Sequence, residues 1–139
     1  MKLTAAFISI FLLAVILLAS CENDQSIEFK RYYSSGALVY QTRCQNCHDA
    51  NGGGLAALIP PLTDTAYLKN NRSRLACYVK FGLKGKLSIN GREFDDEMQA
   101  NDLTPQQLAQ VLTYIGNTFG NKLGTVNEQE VAADLQHCQ

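Results

Sequence analysis

The helical period is clearest late in the chain, where Leu108, Val111, Leu112, Ile115 and Phe119 recur at three- and four-residue steps and share one helix face. Thr104 stands at the N-cap, Pro105 at the first helical position, and Gln107 where a capping box needs its return partner. Leu103 and Leu108 occupy staple positions, and Gly120 is expected to stop the helix. A shorter helix is predicted over 126–136, with Thr125 and Glu128 as its capping box.

Earlier segments are less regular. A first helix is predicted from Ser34 or Ser35, through Ala37, Leu38 and Tyr40, towards Cys44. Another is predicted over 71–81, capped by Asn71 and ended by Gly82. Asn51-Gly52-Gly53-Gly54 is too free for a helix. It is no phosphate loop either, since no Lys-Ser/Thr follows and no strand precedes it. Pro60-Pro61 enforces an extended turn, and residues 84–98, with glycines at 85 and 91, read as loop. The prediction is an all-α domain of about four to five helices joined by long loops. Loops of that length need an organising body within a compact domain, and a flat apolar cofactor would supply one.

The chain's start has a different pattern. After Lys2, the fourteen residues from Ala5 to Leu18 are apolar except for Ser9, and Ala19, Ser20 and Cys21 follow. A membrane span needs about 20 apolar residues, so an export signal fits better than an uncleaved anchor helix. Small residues before a cysteine resemble a bacterial lipobox. Residues 1–20 are therefore expected to be a lipoprotein signal peptide, and 21–32 a polar tether with acylated Cys21. The folded domain is assigned to 33–139, facing the periplasm or cell exterior of a bacterial envelope, and attached to a membrane through that lipid.

Charge excludes one class of partner. With 12 basic and 13 acidic residues the chain lacks the basic excess of a nucleic-acid binder. Lys80, Lys84, Lys86 and Arg92 precede the acidic Glu93, Asp95, Asp96 and Glu97. That run reads as a solvated loop of both signs, with a docking patch as the rival reading and no recognisable calcium spacing.

The cysteines carry the chemistry. Cys44-Gln45-Asn46-Cys47-His48 is the c-type haem attachment pattern, two thiols for the vinyl groups and an adjacent imidazole for the iron. A structural zinc site would want a second ligand pair, and the other histidine, His137, stands alone near the chain end. A thioredoxin-like motif would want βαβ patterning around it. For the second axial ligand the usual donors are thioether and imidazole. Beyond the leader these come down to Met98 and His137. Met98 is favoured, because its neighbours Asp96, Glu97 and Gln99 are poor company for core filler, whereas His137 lies where chain ends fray. Cys77 and Cys138 are left over, either as a disulfide in an oxidising compartment or as two separate thiols.

On these residues the chain resembles the small monohaem cytochromes c with histidine and methionine ligands, particularly the domains associated with quinoprotein dehydrogenases or nitrite reductases. The resemblance runs over 33–136. It is carried by Gly36 and Tyr40 before the haem motif, Ile59-Pro60-Pro61-Leu62, Phe81-Gly82-Leu83-Lys84-Gly85-Lys86, Asn90-Gly91, Met98, the helix 103–119 and Phe119-Gly120-Asn121. It implies a cytochrome c-like fold around one covalent haem c and its iron. Cys44 and Cys47 would hold the haem, and His48 and Met98 the metal. It implies that Gly36 and Tyr40 pack against Tyr114, and that the carbonyl of Pro60 or Pro61 orients His48. Many relatives have proline after the ligand methionine, where this chain has Gln99. The function implied is a one-electron carrier, monomeric and not itself an enzyme, between a dehydrogenase donor and an oxidase or reductase acceptor. Two alternatives stay open: a haem enzyme or gas sensor with an open distal site, and an electron-accepting subunit dedicated to one quinoprotein dehydrogenase.

Overall fold

The computed structural model describes residues 23–138, so the expected leader and Cys21 lie outside the described residues. The elements in chain order are α1 (Asn23–Arg43), α2 (Gln45–His48), α3 (Thr65–Asn70), α4 (Arg72–Phe81), β1 (Leu87–Ile89), β2 (Arg92–Phe94), α5 (Pro105–Ile115) and α6 (Glu128–Leu135). Among the described residues, no helix is long and apolar enough to cross a membrane.

The crossing of α1 with α5 is the frame of the molecule. Tyr32, Gly36 and Tyr40 recur at four-residue steps and are buried against α5. Phe29 stacks on Tyr33 at 5.7 Å, and Tyr33 meets Tyr114 at 5.2 Å. This aromatic run extends the helical period backwards through a polar stretch. The helix therefore begins at Asn23 rather than at Ser34 or Ser35, and residues 23–32 of the expected tether are helical. Gly36 sets the distance of approach: a Cβ there would stand 2.0 Å from the Gln110 carbonyl oxygen and 2.9 Å from the Tyr114 Cβ. Tyr40 packs on Tyr114 at 5.4 Å, as the resemblance implied.

α5 starts with the predicted capping box. Thr104 accepts from the Gln107 N–H at 3.3 Å, and the Gln107 side chain accepts from the Thr104 N–H at 3.0 Å. Leu108, Val111, Leu112 and Ile115 are buried as expected, but the helix ends at Ile115, short of Phe119. The side chains just beyond compete for its last carbonyls. Asn117 Nδ2 donates to the carbonyls of Thr113 (2.7 Å) and Gly124 (2.8 Å), Thr118 Oγ1 donates to that of Tyr114 (2.7 Å), and the chain turns back.

α6 is capped by Asn127, which accepts from the Glu130 N–H at 2.8 Å, and not by Thr125. Two contacts keep the segment before it extended. Arg72 Nη2 holds the Thr125 carbonyl at 2.8 Å, and the buried Thr113 hydroxyl bonds both the N–H and the carbonyl of Val126. The same guanidinium pairs with Glu130 at 2.7 Å and reaches the Leu123 carbonyl, tying α6 to the start of α4. A disulfide joins Cys77 of α4 to Cys138, which decides between the two readings of that pair.

A short helix and a hairpin were not expected. α3 is started by Asp64, whose carboxylate accepts from the Tyr67 N–H at 2.9 Å. Within the predicted loop 84–98, β1 and β2 form an antiparallel hairpin pairing Leu87 with Phe94 and Ile89 with Arg92. Its turn is Asn90-Gly91, both at positive φ (50° and 74°), the conformation of a two-residue hairpin turn. Asn90-Gly91 between alternating apolar residues was the available signal.

Candidate functional site

Cys44, Cys47, His48 and Met98 all line one predominantly apolar cleft of ≈ 320 Å³. Several elements build it. The chain leaves α1 at Cys44, makes the single turn α2, and loops through Pro60-Pro61. α4 contributes Leu75 and Val79, the hairpin contributes Ile89 and Phe94, and α5 contributes Leu112 and Ile115.

Cys44 is buried at the α1–α2 junction and Cys47 is exposed one turn on, and both thiols are free. Burial, followed by the neighbouring Cys47, pushes the Cys44 thiol up to about 11, so it stays neutral at physiological pH. His48 is 8% exposed, and its Nδ1 lies 3.2 Å from the Pro60 carbonyl oxygen. Burial pulls its pKa below the ordinary histidine value, with the Pro60 contact opposing, and the neutral imidazole is the ligand form. Of the two prolines proposed for this contact, Pro60 makes it. Gly54 is required alongside: at φ 70°, a Cβ there would lie 2.2 Å from the Ile59 carbonyl oxygen.

Met98 also lines the cleft. Its backbone is fixed by two hydrogen bonds, Leu83 N–H to Met98 carbonyl at 2.9 Å and Met98 N–H to Leu83 carbonyl at 3.0 Å. Gly82 makes room for this pairing, since a Cβ there would stand 2.3 Å from the Met98 carbonyl oxygen. The side chain is half-buried and packs on the core despite its acidic neighbours. His137 lies outside the cleft, on the exposed end beyond α6, with Nδ1 2.9 Å from the Ala133 carbonyl.

The charged run is largely paired within itself. Lys84 meets Glu97 at 3.0 Å and Lys86 meets Glu93 at 3.6 Å across the hairpin, while Arg92 donates to the Ala56 carbonyl at 3.1 Å. Exposed pairs of this kind contribute at most about 1 kcal/mol each. They match the solvated loop of both signs.

These residues fit a haem. The cleft presents a mostly apolar lining, two unpaired thiols beside one buried imidazole whose Nδ1 meets a carbonyl, and the thioether of Met98. Sequence reasoning assembled the four named side chains but missed the walls contributed by Ile89 and Phe94, because the hairpin was read as loop.

The cytochrome c family matches this chain over residues 33–119. Among curated relatives, cytochrome c-552 of Thermus thermophilus is 27% identical over 93 residues, covering 63% of this chain and 70% of the relative. The cytochrome c subunit of alcohol dehydrogenase (quinone) from Gluconacetobacter polyoxogenes is 29% identical over 99 residues, covering 69% of this chain. This chain spans 21% of that subunit's length. The chain belongs to the cytochrome c family, binding a covalent haem c with its iron and transferring electrons through it.

Proposed function

We propose that this protein is an extracytoplasmic one-electron carrier in which Cys44 and Cys47 hold the haem through thioether bonds while His48 and Met98 supply the axial ligands. The bound group contributes the redox-active iron. The protein's own residues hold it, exclude water and set the ligand orientation. The observation that carries this reading is that all four side chains line one cleft. Leu75, Val79, Ile89 and Phe94 keep the surroundings apolar, and a Met/His pair favours a higher potential than bis-histidine. In this reading His48 and Met98 would both hold the iron and leave no vacant site for a small substrate, which would make the protein a carrier rather than an enzyme.

The location follows from the leader. Removal of residues 1–20 and acylation of Cys21 would leave a monomeric haem domain in the bacterial envelope, facing the periplasm or cell exterior, where a disulfide such as Cys77–Cys138 persists. Similarity to the quinone alcohol dehydrogenase subunit favours a dehydrogenase as electron donor; the acceptor in this reading is an oxidase or reductase. A subunit dedicated to one dehydrogenase is the second reading supported by that same similarity.

The test uses the haem-loaded protein. The expected outcome is a weak long-wavelength Fe–S(Met) band in the oxidised form, no carbon monoxide binding when reduced, and loss of the band with gain of carbon monoxide binding in Met98→Ala. A wild-type protein that lacks the band and binds carbon monoxide is instead an open-site enzyme or sensor.

A further inference from the structure

The loop that carries Pro60 is held from behind by a buried polar residue outside the cleft's four ligands. Asn121 is 3% exposed. Its Nδ2 donates to the carbonyls of Leu62 (2.8 Å) and Ile115 (3.0 Å), and its Oδ1 accepts from the Thr65 hydroxyl at 2.6 Å. One carboxamide thus joins the end of α5, the start of α3 and the loop two residues beyond Pro60. From there the connections continue towards the imidazole. The Leu62 N–H donates to the Gly52 carbonyl at 2.7 Å, the Gly54 N–H donates to the His48 carbonyl at 3.0 Å, and the Pro60 carbonyl stands 3.2 Å from His48 Nδ1. Phe119 lies directly against Gly52, where an added Cβ would be 2.6 Å from the ring.

We propose that Asn121 is a positioning residue that fixes the Pro60 carbonyl, and through it the tautomer and orientation of the His48 imidazole. The inference rests on His48 being an iron ligand. Pro60-Pro61 is locally stiff, but the chain linking it to His48 runs through Asn51-Gly52-Gly53-Gly54, which restrains little, so contacts from outside the loop must fix where the Pro60 carbonyl stands. Asn121 is suited to the task because a carboxamide donates two hydrogen bonds and accepts others without introducing charge. A buried group that satisfies three partners is costly to remove, so the loop is tied down firmly. An outer-shell bond of the Pro60 kind makes the imidazole more basic, which favours the oxidised iron. Loosening it should therefore raise the reduction potential.

The experiment is NMR and potentiometry on the haem-loaded wild type, Asn121→Ala and Thr65→Val. In the wild type, strongly hyperfine-shifted His48 ring signals report iron ligation; if they are absent, the ligand assignment fails before any variant is compared. With those signals present, Asn121→Ala should speed exchange of the His48 Nδ1 proton about tenfold, as expected if the hydrogen bond to the Pro60 carbonyl is lost with the anchor. It should also shift the potential upward while retaining the Fe–S(Met) band. Thr65→Val, which keeps both donations from Nδ2, should give smaller shifts in the same direction and tests the idea if Asn121→Ala does not fold. Unchanged ring-proton exchange and potential in a variant that is merely less stable would overturn the proposal and leave Asn121 as a cap for the end of α5.

Discussion

Cys77 in α4 and Cys138 beyond α6 are bonded to one another across 61 residues of chain. The bond closes a loop containing the hairpin, Met98, α5 and α6, and it acts where the Arg72–Glu130 pair already holds α6 on α4. A cross-link spanning about 61 residues lowers the entropy of the unfolded chain by an amount worth about 4 kcal/mol. Cys138→Ser should lose stability on that order in denaturant titrations. Its visible spectrum should be unchanged, because neither sulfur lines the haem cleft. A change in the spectrum would mean that α4 is not rigid without the bond.

Gly36 should be intolerant of even one methyl group. The Cβ of Gly36→Ala would stand 2.0 Å from the Gln110 carbonyl oxygen, a backbone atom with no rotamer to change. Overpacking of this kind costs about 1–3 kcal/mol, and here α1 and α5 must separate to relieve it. Thermal unfolding should show the loss. A neutral substitution would mean that α1 slides along α5 at little cost.

The elements that were readable in the sequence are those whose causes are local. The α5 start was readable because Thr104, Pro105 and Gln107 act within one turn, and the haem motif because its chemistry demands adjacent residues. The starts of α1 and α6 were not, because distant partners set them. Tyr33 needs Tyr114, the Thr125 carbonyl is taken by Arg72, and Val126 is held by Thr113. The hairpin had a local signal in Asn90-Gly91, but its burial depends on Ile89 and Phe94 facing a cleft that the sequence does not draw. Elimination selected Met98; its placement by Leu83 emerged only in three dimensions.

Tyr67, in α3 at the cleft wall, should resist ionisation. Burial, followed by the nearby Tyr78, pushes its phenol from 10.0 up to about 12, with Arg74 opposing. A pKa raised on folding means that the folded state favours the neutral phenol. The associated stability is fully present below about pH 10 and is lost as pH rises towards about 12. Tyrosinate absorbance should show a delayed step, and Tyr67→Phe should lose stability less steeply over that interval. Equal slopes in the two proteins would contradict the assignment.

Gly82 offers a test of Met98 that leaves the methionine in place. At φ 78° the residue has a conformation that side chains rarely adopt, and a Cβ would stand 2.3 Å from the Met98 carbonyl oxygen. The two hydrogen bonds between Leu83 and Met98 leave no slack to absorb the clash locally. Gly82→Ala should therefore move the Met98 segment away from α4, at a cost of about 1–3 kcal/mol to the fold. If Met98 is the distal ligand, displacement of its backbone should weaken or abolish the Fe–S(Met) band, lower the reduction potential and admit carbon monoxide. If the sulfur is not on the iron, the same variant should lose stability with its haem spectrum intact. Measuring the unfolding midpoint and the spectrum on one sample separates these outcomes, and Met98→Ala supplies the reference for a haem without that ligand.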